Sequence, residues 1–131
     1  MIMIQQERST CMGILKFLGI EPEKDPVELT DENFQKEVNE SDVPVIVDFW
    51  SGSCAPCVKL APTIKKLAAK YEGRVKVCHL NVANGMKSAA RMGVRGTPTV
   101  IFYKDGGVVE RVVGFKGQLY YEEIIEEEIL K

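Results

Sequence analysis

Between Val45 and Pro62 the hydrophobic pattern changes its period, and that switch constrains everything around it. Val45 to Trp50 is an apolar run containing one acid, Asp48. Such a run reads as a strand buried on both faces. Ser51-Gly52-Ser53 ends it with a loop composition. Cys54-Ala55-Pro56-Cys57 then opens a segment with helical spacing. Strand, loop, two cysteines three apart and a helix place two thiols at the lip of a sheet.

The flanking segments supply the remainder of an α/β domain. Val27 to Leu29 reads as a short strand. Thr30-Asp31-Glu32 reads as an N-cap with acids in the first turn, leading into a helix that carries Phe34 and Val38. After Cys57, the positions Val58, Ala61, Ile64, Leu67, Ala68 and Tyr71 recur at spacings of three and four, predicting an amphipathic helix that stops near Gly73. Pro62 predicts a kink in it. Val75 to Val82 is the next strand. Gly85 to Met92 reads as helical, with Met86, Ala89 and Ala90 inward. Thr99 to Tyr103 and Val108 to Val113, joined by Lys104-Asp105-Gly106-Gly107, form a hairpin. Gln118 to Leu130 puts Tyr121, Ile124, Ile125 and Ile129 on one helical face and its acids on a solvated one. The order β-α-β-α-β-α-β-β-α demands right-handed parallel crossovers and then an antiparallel pair. It predicts a mixed sheet of about five strands flanked by helices.

Composition narrows the function classes. The chain has 131 residues, suited to one domain, and a net charge of −2, which gives no electrostatic case for nucleic acid or an anionic membrane. No apolar run approaches a membrane span. Residues 1–25 read differently from 26–131 and are expected to be an N-terminal extension, with Ile14, Leu15 and Leu18 on one stripe of a short helix. That segment lacks the pattern of a cleaved leader, so a reducing cytoplasm is the expected compartment. Four cysteines, two of them in Cys-x-x-Cys, fit a redox motif there better than a disulfide framework.

Asp48-Phe49-Trp50, Cys54-x-Pro56-Cys57, Pro62, Gly93-Val94-Arg95-Gly96-Thr97-Pro98-Thr99 and Gly114, at these intervals, resemble the thioredoxin family. The likeness covers about residues 26 to 131. It implies the thioredoxin fold and a thiol–disulfide oxidoreductase that reduces protein disulfides, with a Cys54–Cys57 redox disulfide. It also implies disulfide-containing protein substrates, a thioredoxin reductase as electron donor and a monomer. No cofactor is expected, since the chain has no Gly-x-Gly-x-x-Gly.

The residues support that chemistry. A thiolate attacks a disulfide sulfur, and unpaired N–H groups at a helix start favour the anion of Cys54. Cys57 lies about one turn deeper on the same face, where it can resolve the mixed disulfide. Asp48, an acid in a buried strand, should have a raised pKa, suited to exchanging a proton with Cys57. The alternative is a structural acid held by a backbone or hydroxyl partner. By resemblance, Thr97-Pro98 is a cis-proline step beside the cysteines, offering backbone groups of Thr97 to a substrate strand. On the same basis Trp50, Thr97, Pro98 and Gly114 bind substrate. A core tryptophan and a turn glycine are the plainer alternatives for Trp50 and Gly114.

Three departures from the family pattern stand out. Ser53 replaces a usual Trp, Ala55 a usual Gly, and His79, the only histidine, falls where many bacterial members carry Lys. If His79 faces Asp48, a group titrating near neutrality replaces a permanent cation, and reactivity should vary with pH around neutrality. Cys78, mid-strand, reads as a small buried hydrophobe. A zinc site is rejected because Cys78 and His79 point to opposite faces. Cys11 reads as an inert tail thiol. Two rivals to the disulfide-reductase reading are a thiol oxidant or isomerase and a non-catalytic binding module of the same fold.

Overall fold

The computed structural model describes residues 21–131, so the expected N-terminal helix and Cys11 lie outside the described residues. The strands are β1 (Val27–Leu29), β2 (Val45–Trp50), β3 (Lys76–Asn81), β4 (Thr99–Lys104) and β5 (Gly107–Val113). The helical elements are α1 (Gln35–Asn39, a single wide turn), α2 (Ala55–Lys70), α3 (Met86–Arg91) and α4 (Gln118–Ile124), the last continued by a wide turn at Ile125–Ile129. The sheet order is β1-β3-β2-β4-β5. β1 and β2 run parallel to β3, while β4 runs antiparallel to both β2 and β5. This is the α/β mixed sheet that the pattern predicts.

The hairpin from β4 to β5 turns through Asp105 and Gly106, both at positive φ (54° and 80°), the mirror-image turn that matches strand twist. At Gly106 space is also tight, since a Cβ there would lie 3.0 Å from the Asn39 carbonyl oxygen.

Strand alternation splits the apolar residues into two cores. On one face Ile46, Val77, Val100, Phe102 and Val112 pack under Leu60, Ile64 and Leu67 of α2 and Tyr121 of α4. On the other, Val47, Phe49, Cys78, Leu80, Ile101 and Tyr103 are closed by Phe34, Val38 and Ala89 from α1 and α3.

Three local expectations are corrected. The inward stripe of α2 is Cys57, Leu60, Ile64, Leu67 and Ala68, whereas Val58 and Ala61 are exposed. Helical spacing alone does not say which of two adjacent stripes meets the sheet, and here Leu60 outcompetes its neighbours in area buried. In α3 the inward residues are Ser88 and Ala89, while Met86 and Ala90 are exposed. The reason lies in the third correction. Thr30 does not cap α1; its N–H donates to Asn33 Oδ1 at 2.7 Å. Asp31 instead reaches across to α3, where its carboxylate accepts from Ser88 N and Ser88 Oγ, both at 2.8 Å, and from Lys87 N at 3.3 Å. Gly85, before α3, has no side chain to offer those groups, so the cap comes from a distant loop and turns Ser88 inward. The Ser88 N–H and hydroxyl bonds hold the Asp31 carboxyl below its usual range.

Residues 21–26 cross the outside of α2. Lys24 N–H donates to the Lys65 carbonyl at 3.1 Å, and Gln118 Nε2 donates to Glu21 at 2.9 Å. This crossing brings Asp25 and Pro26 to the rim of the cavity described next.

Candidate active site

The loop after β2 delivers Cys54 to the N-terminus of α2. Cys54 is the N-cap, extended at φ −99° and ψ 105°, and its Sγ accepts the Cys57 N–H at 3.2 Å. Pro56 sits in the first turn, where its missing N–H would be unpaired anyway. The remaining free N–H groups and the dipole of a 16-residue helix point toward Cys54. Cys54 and Cys57 are joined by a disulfide with a Cα–Cα separation of 5.2 Å. The two sulfurs differ in access. Cys54 is half-exposed, while Cys57 is only 4 % exposed and belongs to the inward stripe of α2.

Facing this turn is the segment that enters β4. Because β2 pairs antiparallel with β4 and the ladder ends at Phe49–Thr99, the loop leaving β2 and the loop entering β4 must sit side by side. The Thr97–Pro98 bond is cis. Ser51 Oγ lies 3.3 Å from Thr97 Oγ1, which ties the two loops together. Thr99 Oγ1 donates to the Gly96 carbonyl at 2.7 Å, and Gly114 N–H donates to the Pro98 carbonyl at 2.8 Å. Gly114 has φ +89°, a conformation that costs a side-chain-bearing residue energy whatever space surrounds it. The fold thus gathers Cys54, Thr97, Pro98 and Gly114 at the same end of the sheet.

Beneath α2 a cavity of about 530 Å³ runs from Cys57 and Asp48 past Trp50 and His79. Asp48 is 4 % exposed, and its Oδ1 has no hydrogen-bond partner among the described residues. The alternative of a structural acid held by a partner finds no such partner at Oδ1. Burial pushes the Asp48 carboxyl up to about 7. His79 is directly opposite Asp48 in the β2–β3 register, on the same face. Its ring stacks on Trp50 with centroids 6.0 Å apart and planes at 23°. Burial lowers the His79 pKa, and the nearby Glu28 and Asp25 partly oppose that. Trp50 is half-buried against this cavity, neither a full core residue nor a free surface one.

Cys78 has no exposure and packs in the opposite core, so it shares no space with His79. Burial pushes its thiol up to about 12, which leaves it protonated and unreactive. Glu28, Lys65 and Val58 also border the cavity, and no motif in the sequence marks them as part of a site. Glu28 carried one usable signal, its place between apolar Val27 and Leu29, which sets its face but not its partner.

Comparison with known proteins agrees with this geometry. The sequence model of the thioredoxin family matches residues 25–127. The chain is similar to Thioredoxin C-2 of Corynebacterium nephridii, with 42% identity over 88 residues, 67% of this chain and 82% of that protein. It is similar to a thioredoxin of Chlorobaculum thiosulfatiphilum, with 45% identity over 66% of this chain and 81% of that protein. A thioredoxin of Pseudomonas aeruginosa is 41% identical over 67% of this chain and 82% of its own length.

Proposed function

This chain belongs to the thioredoxin family and is a thiol–disulfide oxidoreductase that reduces protein disulfides, and we propose how its own residues divide that work. Cys54 is the nucleophile, Cys57 the resolving thiol and Asp48 the acid that takes the Cys57 proton. The observation that carries the reading is the difference in access between the two sulfurs at one helix start. A folded substrate can present a disulfide to half-exposed Cys54 but not to buried Cys57.

In the reduced protein the Cys54 thiolate attacks a substrate sulfur, one Cys54–substrate bond forms and the first substrate thiolate leaves. Cys57 then gives its proton to the Asp48 carboxylate and attacks Cys54 Sγ. The Cys54–Cys57 bond forms, the mixed disulfide breaks and the second thiolate leaves. The raised Asp48 pKa suits this exchange, since an ordinary carboxylate would be too weak a base. Trp50, Thr97, Pro98 and Gly114 form the substrate-binding surface. The placement of Thr97 and Pro98 beside the Ser51 loop supports backbone pairing with an extended substrate segment. In this reading a thioredoxin reductase is the electron donor, and the protein works as a monomer in the cytoplasm. Among the described residues no helix is long and apolar enough to cross a membrane.

The test is a disulfide-reduction assay that follows the adducts by mass. Cys54→Ser should give no turnover above background and no mixed disulfide. Cys57→Ser should accumulate a Cys54–substrate adduct. The reverse pattern, an adduct on Cys57, would overturn the assignment.

A further inference from the structure

If Asp48 takes the Cys57 proton, it must pass it on, and no described group is bonded to its Oδ1 to receive it. The carboxyl is 4 % exposed with an unpartnered Oδ1. The sheet register supplies a way out. Asp48 on β2 pairs with His79 on β3, and His79 pairs with Glu28 on β1. The three residues form one transverse row on the α2 face, each strand about 4.8 Å from the next. All three border the same 530 Å³ cavity as Cys57. Access increases along the row, from buried Asp48 through half-buried His79 to exposed Glu28. The stack on Trp50 holds the His79 ring in the middle of it.

We infer that His79 relays the proton between Asp48 and solvent, with Glu28 marking the outer end of the path. The inference rests on the reading of Asp48 as the acceptor for Cys57. His79 is a positioning residue for the proton, since it acts through Asp48 and does not touch the reacting sulfurs. The balance is complete without any further reactant. Cys57–SH and Asp48–COO⁻ become Cys57–S⁻ and Asp48–COOH. Asp48–COOH gives its proton to neutral His79, and the imidazolium releases it to water at the cavity mouth. Asp48 is again an anion and His79 neutral, and re-reduction runs the same path inward.

The charges around the row fit that traffic. Glu28 faces His79 from β1, Asp25 from the crossing segment and Lys65 from α2. Burial raises the pKa of Tyr121 of α4, and the nearby Asp48 carboxylate adds to that. Burial keeps His79 neutral near neutrality, with Glu28 and Asp25 moderating the shift. A neutral imidazole beside a carboxyl that titrates at about 7 can take its proton and return it.

The experiment follows repeated turnovers of the full-length chain against excess insulin with dithiothreitol as reductant, quenched with a thiol reagent from pH 6 to 8.5. Formation of the mixed disulfide and release of product are read separately. His79→Ala and His79→Gln should release product more slowly by about tenfold, a modest share of what positioned proton transfer contributes. Mixed-disulfide formation should stay within twofold of the parent. Added imidazole should restore release in His79→Ala and leave the parent unchanged. Parent-like release in both variants overturns the relay. Slow release that imidazole does not restore also overturns it, since His79 would then only pack against Trp50. Should His79→Ala fail to fold, the pH profile of product release in His79→Gln decides, because glutamine keeps the bulk but cannot titrate; a parent profile overturns the relay. Asp48→Asn separates the two layers. If Asp48→Asn releases product at the parent rate, the reading of Asp48 falls. If it alone is slow, only the relay falls.

Discussion

Val45, Val47 and Phe49 point to one face of β2, and Ile46, Asp48 and Trp50 to the other. The first face is sealed. Phe34 packs on Phe49 at 6.4 Å and edge-on to Tyr103 at 6.3 Å, while Leu80 and Cys78 fill in from β3. The second face is apolar toward β4 and β5 and polar toward β1, where the Glu28–His79–Asp48 row borders an open cavity. One strand therefore serves two purposes, and the alternation of its side chains keeps them apart. The sealed face supplies stability. The open face gives some stability up by burying an acid without a full set of partners.

This contrast can be broken from either side. Phe49→Ala should cost the most, about 3 to 5 kcal/mol, because a close-packed site cannot collapse around the missing ring. Its denaturation midpoint should fall at every pH. Asp48→Asn, at the adjacent residue, should act in the opposite direction. The folded carboxyl holds its proton up to about pH 7, well above the ordinary 3.8 of an unfolded chain. Below about pH 4 both states are protonated and the acid has no effect. As pH rises from about 4 to 7, the native state binds more protons than the unfolded one, and stability falls. Above pH 7 the penalty is complete, at most on the order of 4 kcal/mol. Removing the charge should therefore stabilise the protein by about 2 to 4 kcal/mol at pH 8 and by nothing at pH 4. Urea midpoints of both proteins at the two pH values check this, and equal midpoints at pH 8 would mean that the carboxylate is well solvated.

The smallest effect is expected at Cys78, a cysteine on the sealed face. Cys78→Ala should cost about 1 kcal/mol, leave turnover unchanged, and remove a thiol that reagents reach only after unfolding. Labelling of native Cys78 at the rate of Cys54 would show that the two faces are not separated as described.

Much of the candidate site was legible from spacing. Cys54 and Cys57 follow a strand and open a helix, which places them whatever the remaining chain does. Asp48 was visible as an acid in an apolar run. Of the helical stripe in α2, Ile64, Leu67, Ala68 and Tyr71 are buried as the spacing predicts, whereas Val58 and Ala61 fit the same period and border the cavity instead. Local pattern favours local partners and so points to Thr30 as a cap, whereas Asp31 bonds across 57 residues to Ser88. Lys65 was not legible, and of Glu28 only its face was, since the importance of both comes from what they face.

Periodicity and punctuation determine the elements, the order of strands and helices, and the meeting of two thiols with a helix start, because these rest on neighbours within a few residues. Which acid faces which base does not follow from such patterns. The parallel register sets Glu28, His79 and Asp48 in one row, and the crossing of residues 21–26 over α2 leaves a cavity beside it. Both are agreements between segments some 20 to 50 residues apart, made by the packing of the folded chain.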